Sequence, residues 1–262
     1  MLDNIFSGPT IKGLYVDGRW QATPGQFDDL NPSDGTVWAQ VPDAGAAETR
    51  RAIEAAHRAF PAWSSLRFQE RAHFMLKIAD IWDKRAQDYV IAAQYEGGGS
   101  YGKGMFEAGH VSETFRAAAG LCYGAIGEIL PSQYGKVSTA VRVPTGVVGV
   151  ISPWNVPGIL TSRGFAFAMA TGNTIVLKPS EETPYAGGLF FAEILEEAGV
   201  PNGVFNVVTA SRDRTPEVGD ELIDNPLVKG ISFTGSTPVG RRIAAKCGCL
   251  LYTSDAADEV DS

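Results

Sequence analysis

The sequence predicts an α/β protein: an open parallel sheet with flanking helices, preceded by a helical N-terminal segment and carrying a two-stranded arm. Two observations carry that expectation. Four short runs rich in β-branched residues (147–151, 174–177, 204–208 and 228–233) alternate strictly with helical stretches at about 158–170, 184–198 and 218–224. These runs are also too apolar to face water on either side, which is the mark of parallel strands covered by helices on both faces.

In chain order, residues 13–20 read as a short strand with a turn at Asp17-Gly18. A helix should begin near Ala46 and place Ile53, Ala56 and Phe60 on one face. A second should run from about Leu66, with Ala72, Met75, Leu76, Ala79 and Trp82 at helical spacing, and Pro61 should separate the two. Further helices are expected over about 86–95 and 105–122. The pattern then changes. Val137, Thr139, Val141 and Val143 alternate with Lys136, Ser138, Ala140 and Arg142 up to Pro144, a period-two strand. Together with 126–130 it suggests a two-stranded arm over 127–143. Thr183-Pro184 offers an N-cap and first-turn proline for the helix that follows, and Gly199 before Pro201 offers its stop. Residues 1–126 and 144–246 are thus expected to form one domain interrupted by the arm, with a last sheet strand missing.

After Lys246 the character of the chain breaks. Residues 247–262 carry four acids and no base, and Cys249–Glu259 looks like one reading frame of a sequencing adapter. The expectation is a non-native read-through tail; a genuine acidic tail is the alternative.

Composition narrows the function classes. The 262 residues carry 22 Lys+Arg against 30 Asp+Glu, a formal charge of −8, which lacks the basic excess that nucleic-acid binding needs. No apolar run approaches the roughly 20 residues of a membrane span, and Asp3, Lys12, Asp17 and Arg19 interrupt any leader core. Three cysteines (Cys122, Cys247, Cys249) make no disulfide framework, so a reducing cytoplasm is expected.

The chemistry concentrates after the strands. Ser152-Pro153-Trp154-Asn155 follows the first run, Lys178-Pro179-Ser180-Glu181 the second and Phe233-Thr234-Gly235-Ser236-Thr237 the fourth. In a parallel sheet all three lie at the carboxyl ends of the strands, where open α/β folds bind ligands. Gly235, Ser236, Thr237 and Gly240 open a helix whose N-terminal N–H groups and dipole suit a pyrophosphate. Lys178 can donate to a ribose. Glu181 can accept from ribose hydroxyls and would repel a 2′-phosphate, favouring NAD over NADP. The Asn155 amide has two donors for a developing oxyanion. Taken singly, Asn155 reads equally well as a turn residue and Glu181 as a helix-start acid.

Gly146-Val-Val-Gly-Val-Ile-Ser-Pro-Trp-Asn155, Leu177-Lys-Pro-Ser-Glu181 and Ser232-Phe-Thr-Gly-Ser-Thr-Pro-Val-Gly240 resemble the NAD(P)-dependent aldehyde dehydrogenase superfamily, over about residues 11–246. Within it, 137–155 and the segment from Glu217 look most like bacterial benzaldehyde and vanillin dehydrogenases. The resemblance implies a Rossmann-like cofactor-binding part and assigns roles. Asn155 would be the oxyanion-hole amide, and Ile151, Ser152 and Trp154 would line the nicotinamide-ribose side. Lys178 and Glu181 would hold the adenosine ribose, and Gly235 to Gly240 the pyrophosphate. The arm would bridge subunits of a homo-oligomer. In the family a cysteine thiolate attacks the aldehyde, hydride passes to nicotinamide, and a glutamate-activated water releases the acid.

One departure matters. The family's Glu-Leu-Gly-Gly-Lys segment, expected shortly after residue 246, is absent from this sequence, and so is the domain carrying the nucleophile. Cys247 and Cys249 fall about 15 Å along the helix from its N-terminal end, the wrong end for chemistry. Cys122, in an alanine-rich stretch, is expected to be a buried inert thiol. The chain alone is therefore expected to lack activity. Two other readings stay open: a fragment that binds NAD without chemistry, and an interaction module acting through the arm. Gly97 to Gly104 nearly matches a phosphate-binding loop but follows a helix, so a connecting loop is expected. His57, His73 and His110 show no metal-ligand spacing. Asp28-Asp29 and Glu196-Glu197 are expected to be solvated charges.

Overall fold

The computed structural model describes residues 8–258, with side chains described through Gly248. The chain opens with a tight hairpin, β1 (Leu14–Val16) and β2 (Arg19–Gln21), whose turn residues Asp17 and Gly18 both take left-handed φ values of 55° and 69°. That turn matches the natural twist of paired strands. A separate hairpin follows, β3 (Gln26–Leu30) and β4 (Val37–Pro42). Four helices come next: α1 (Ala46–Ser64), α2 (Phe68–Lys84), α3 (Ala86–Gly97) and α4 (Tyr101–Leu121). The arm is β5 (Gly127–Leu130) paired antiparallel with β6 (Ser138–Val141). The alternating part is β7 (Val147–Ile151), α5 (Pro157–Ala170), β8 (Thr174–Lys178), a π-helical turn Tyr185–Leu189 running into α6 (Phe190–Glu197), β9 (Phe205–Val207), α7 (Thr215–Asp224), β10 (Val228–Phe233) and α8 (Thr237–Asp258).

The main sheet has the order β10-β7-β8-β9-β1-β2. Its first four strands are parallel, as expected. The N-terminal hairpin adds β1 antiparallel to β9 through Tyr15 and Val207, so the sheet is mixed rather than purely parallel. From β7 the strands proceed through β8 to β9, then the chain returns to place β10 on the other side of β7. Because crossovers are right-handed, this reversal puts α5 and α6 on one face and α7 on the other. The cores follow that division. The larger cluster joins residues of α2–α6 to one face of the sheet, with Trp82 stacked on Phe191 at 4.9 Å between ring centroids. The second joins Ile53 and Ala56 of α1 to Val218 and Leu222 of α7 beneath Val147 and Val176.

Several expectations are corrected. Pro61 does not separate α1 from α2 but lies inside α1. Its ring forfeits only a bond to the His57 carbonyl, on an exposed residue, while buried Trp63 holds the last turn by donating from Nε1 to the Met169 carbonyl at 3.0 Å. Leu76 is exposed, and the buried stripe of α2 instead includes Ile78 and Ile81. The apolar periodicity left both flanks of the 72-75-79-82 stripe open, and the neighbouring helices cover only one. Thr183 does not cap with its hydroxyl, which is buried without a partner. The Tyr185 and Ala186 N–H groups donate instead to the carboxylate of buried Glu96, at 2.6 and 2.7 Å. Asp29 is no solvated charge: it is 2 % exposed, whereas Asp28, Glu196 and Glu197 do face solvent. Burial pushes the Asp29 carboxyl up to about 7; the interaction with Glu96 works against that and the Glu182 charge adds to it. The β3–β4 hairpin went unforeseen because Gln26–Leu30 shows no apolar alternation.

The backbone of α8 passes Lys246 without a break, and residues 259–262 of the expected tail lie outside the described residues. Among the described residues no strand follows β10, and no helix is long and apolar enough to cross a membrane.

Candidate functional site

The crevice is built by register. Ile151, the last residue of β7, pairs with Lys178 on one side and Phe233 on the other. Beyond it, the Ser152 N–H donates to the Lys178 carbonyl at 3.2 Å and the Thr234 N–H donates to the Ile151 carbonyl at 3.0 Å. Three loops therefore leave the sheet at one height, around the point where strand order reverses. Right-handed crossovers diverge there to opposite faces and leave an opening. Its volume is about 550 Å³, and Ile151, Ser152, Trp154 and Asn155 line one wall. Lys178 and Glu181 line a second, Gly235 and Ser236 a third.

Each side chain is held differently. Asn155 is exposed to the crevice and its amide makes no hydrogen bond to any described residue, so both donors are open to the crevice. Trp154, 57 % exposed, forms the rim. Ser152 is buried with its hydroxyl bonded to Thr161 at 2.8 Å, which anchors the loop rather than presenting a donor. Lys178 is 3 % exposed. Burial pulls its ammonium below the ordinary lysine value, and Glu181, with an oxygen 3.6 Å from Nζ, works against that. Glu181 also accepts from Arg212 Nε at 3.2 Å, and Arg212 reaches Glu182 as well.

The pairing of Arg212 with Glu181, made from outside the crevice lining, is the contact that sequence reasoning missed. Arg212 lies in the loop after β9, the one strand end to which no ligand motif was assigned, yet that loop shares the same sheet edge. Position alone was the available signal.

Two of the expected phosphate-binding residues stand back. Thr237 and Gly240 lie in the first turn of α8 and are not part of the crevice lining. The Phe233 ring explains the glycines: a Cβ on Gly235 would sit 2.6 Å from Phe233 Cζ, and one on Gly240 3.1 Å from Cε1. The ring packs where side chains would otherwise stand, and α8 presents its N-terminal turn beside Gly235 and Ser236.

Elsewhere, Cys122 is buried against the Ala118 and Ala170 carbonyls, and burial pushes its thiol up, as an inert core thiol requires. The stretch 97–104 is a connecting loop only over residues 98–100; Gly97 ends α3, and Tyr101 to Gly104 already form the first turn of α4, capped by Ser100. Among the described residues no group of three or more His, Cys, Asp or Glu side chains gathers as a metal site.

Fold and crevice define an open, doubly wound α/β protein with a crevice at the switch point. The chain belongs to the aldehyde dehydrogenase family, whose profile matches residues 20–254. It is 41 % identical over 239 residues to the glutarate-semialdehyde dehydrogenase of Pseudomonas aeruginosa, covering 89 % of this chain and 48 % of that protein. It is 38 % identical over 245 residues to the NAD(+) benzaldehyde dehydrogenase of Pseudomonas putida, covering 93 % and 50 %. Among solved structures, the salicylaldehyde dehydrogenase of Pseudomonas putida G7, complexed with salicylaldehyde, superposes with a TM-score of 0.88 at 32 % identity, covering 91 % of this chain and 50 % of that one. The chain thus spans about half the length of the relatives it matches.

Proposed function

We propose that this chain is the cofactor-binding half of an enzyme that oxidises an aromatic aldehyde to its carboxylic acid with NAD. The observation that carries the reading is the crevice: a free Asn155 amide, the Lys178–Glu181 pair and the start of α8 all face one opening. The residues present fit such a cofactor. The first turn of α8 offers N–H groups to a pyrophosphate. Lys178 Nζ donates to ribose oxygens, and Glu181 accepts from ribose hydroxyls while repelling a 2′-phosphate. When bound, NAD supplies the hydride acceptor. Asn155 donates to the oxygen that becomes negative as a nucleophile adds to the aldehyde, an interaction stronger in the transition state than in the ground state. No residue of this chain matches the family's nucleophilic cysteine or general-base glutamate, so the chain alone binds without turnover. The aromatic preference rests on resemblance to benzaldehyde dehydrogenases.

Calorimetry of the folded chain with NAD tests this. Saturable heat at millimolar NAD or below is expected, and silence there overturns the reading. Steady oxidation of benzaldehyde by the purified chain would overturn the half-enzyme assignment.

A second reading has its own observation. On the arm, Ile129 is 79 % and Val137 78 % exposed, and Val143 beside it is 73 % exposed, an apolar surface that a single copy leaves in water. It suits a second copy of the chain. Light scattering should then show self-association that is lost when Ile129 and Val137 are both changed to Lys. A monomer at 100 μM, roughly the weak end of specific association, would remove this reading. A reducing cytoplasm, where the free thiols of Cys122 and Cys247 persist, is the compartment proposed.

A further inference from the structure

Helix α5 begins two residues after Asn155, and its start is capped in an unusual way. The flanking residue is Val156, whose side chain cannot cap, and Pro157 has no N–H. The first N–H available in the helix is that of Gly158. It is buried, and it donates to Tyr89 Oη at 2.8 Å and to Glu107 Oε2 at 3.0 Å. The Tyr89 hydroxyl donates to the same Glu107 oxygen at 2.7 Å, and the Lys103 ammonium pairs with the other. Tyr89 and Glu107 are each 0 % exposed. Burial and the neighbouring Glu107 carboxylate hold the Tyr89 hydroxyl far above its ordinary value, so it remains a donor.

A buried carboxylate costs several kcal/mol unless its oxygens are satisfied. A serine or aspartate at position 156 would cap the helix from within at far lower cost. What the observed arrangement adds is a tie from α3 and α4 to the loop that presents Asn155. The loop is thereby held at both ends, by Ser152 at the close of β7 and by Gly158 at the start of α5. The approach is close: a Cβ at 158 would lie 2.4 Å from Tyr89 Oη, so only glycine admits it.

We propose that Tyr89 and Glu107 are positioning residues for Asn155, clamping the first turn of α5 so that the free amide faces the crevice. The inference rests on the reading of Asn155 as the oxyanion donor. Its test needs neither NAD nor turnover. In the ¹⁵N-labelled chain, the Asn155 side-chain NH₂ pair is identified by its loss in Asn155→Ala. Both Tyr89→Phe and Glu107→Gln should move or broaden that pair, and should speed hydrogen exchange of the Gly158 amide at least about tenfold. Leu222→Ala, in the second core cluster on α7, should lower the melting temperature but leave both signals in place. Folded Tyr89→Phe and Glu107→Gln chains with parental Asn155 and Gly158 signals would overturn the proposal, as would Leu222→Ala moving them equally. If Glu107→Gln does not fold, Tyr89→Phe, which keeps the carboxylate, decides by the same two signals. Absent NAD binding with these shifts intact would remove the proposed function and leave the clamp standing.

Discussion

Replacing Asn173 with Ala isolates the contact that seats β7, the strand that delivers Asn155. Asn173 is 7 % exposed and its side chain makes five hydrogen bonds. Its Oδ1 accepts from the Thr145 N–H at 2.8 Å, the Gly146 N–H at 3.1 Å and the Thr145 hydroxyl at 3.1 Å. Its Nδ2 donates to the Ala168 carbonyl at 3.0 Å and to the Thr171 hydroxyl at 3.2 Å. These losses are unequal. Thr145 is exposed, so water replaces what it loses. The Ala168 carbonyl keeps the Asn173 backbone N–H and the Thr171 hydroxyl. The Gly146 N–H is buried and would be stranded, at about 1–3 kcal/mol. With roughly 0.5–1 kcal/mol for the two Thr145 bonds together, the expected loss is about 1.5–4 kcal/mol. In a chain of this size that lowers the melting temperature by about 3–16 °C. Urea unfolding followed by tryptophan fluorescence reads the same quantity. A loss below about 1 kcal/mol for Asn173→Ala, with an unchanged m-value, would refute the reasoning.

Three more outcomes are expected. Glu181→Ala should raise affinity for NADP relative to NAD about tenfold or more, because a carboxylate and a phosphate dianion about 5 Å apart repel by roughly 2 kcal/mol even in water; an unchanged ratio in calorimetry counts against Glu181 as the discriminator. Asp29, buried and raised to about 7, binds a proton when folded that it releases when unfolded, so stability should fall as pH rises from about 4 to 7, by up to roughly 1.4 kcal/mol per pH unit. Asp29→Asn should flatten that slope in melting curves, and a parental slope in the variant would be contrary evidence. Cys122, buried and with its thiol pushed up, should react with a disulfide reagent at least about a hundredfold more slowly than a free thiol under native conditions. Rapid stoichiometric labelling of Cys122 in the folded chain, located by peptide mapping, would contradict the burial.

Most of the alternating part was readable because its signals are local. The β7, β8 and β10 segments are runs of β-branched residues bounded by turn residues, and they pair in parallel as expected. The Asp17-Gly18 turn was readable for the same reason. The β3 strand was not, since Asp28 and Asp29 break any alternation. At the candidate site, Lys178, Glu181, Asn155 and Gly235 were found because they follow strands that the pattern had already located. The Arg212 contact was not, because nothing in the neighbours of Arg212 distinguishes it from any surface arginine.

The amino-acid sequence by itself determined the order of strands and helices in the alternating part, the sheet edge at which the crevice opens and the family the chain belongs to. Each depends on periodicity or on short contiguous motifs, which survive without knowledge of the fold. Tertiary structure alone decided where the buried charges go. Glu96 ends beneath the π-helical turn and Glu107 beneath α5, at separations of 89 and 51 residues from the N–H groups they hold. A carboxylate becomes a cap only when a distant helix brings an unpaired donor to it and excludes water. That condition belongs to packing, and no local pattern encodes it.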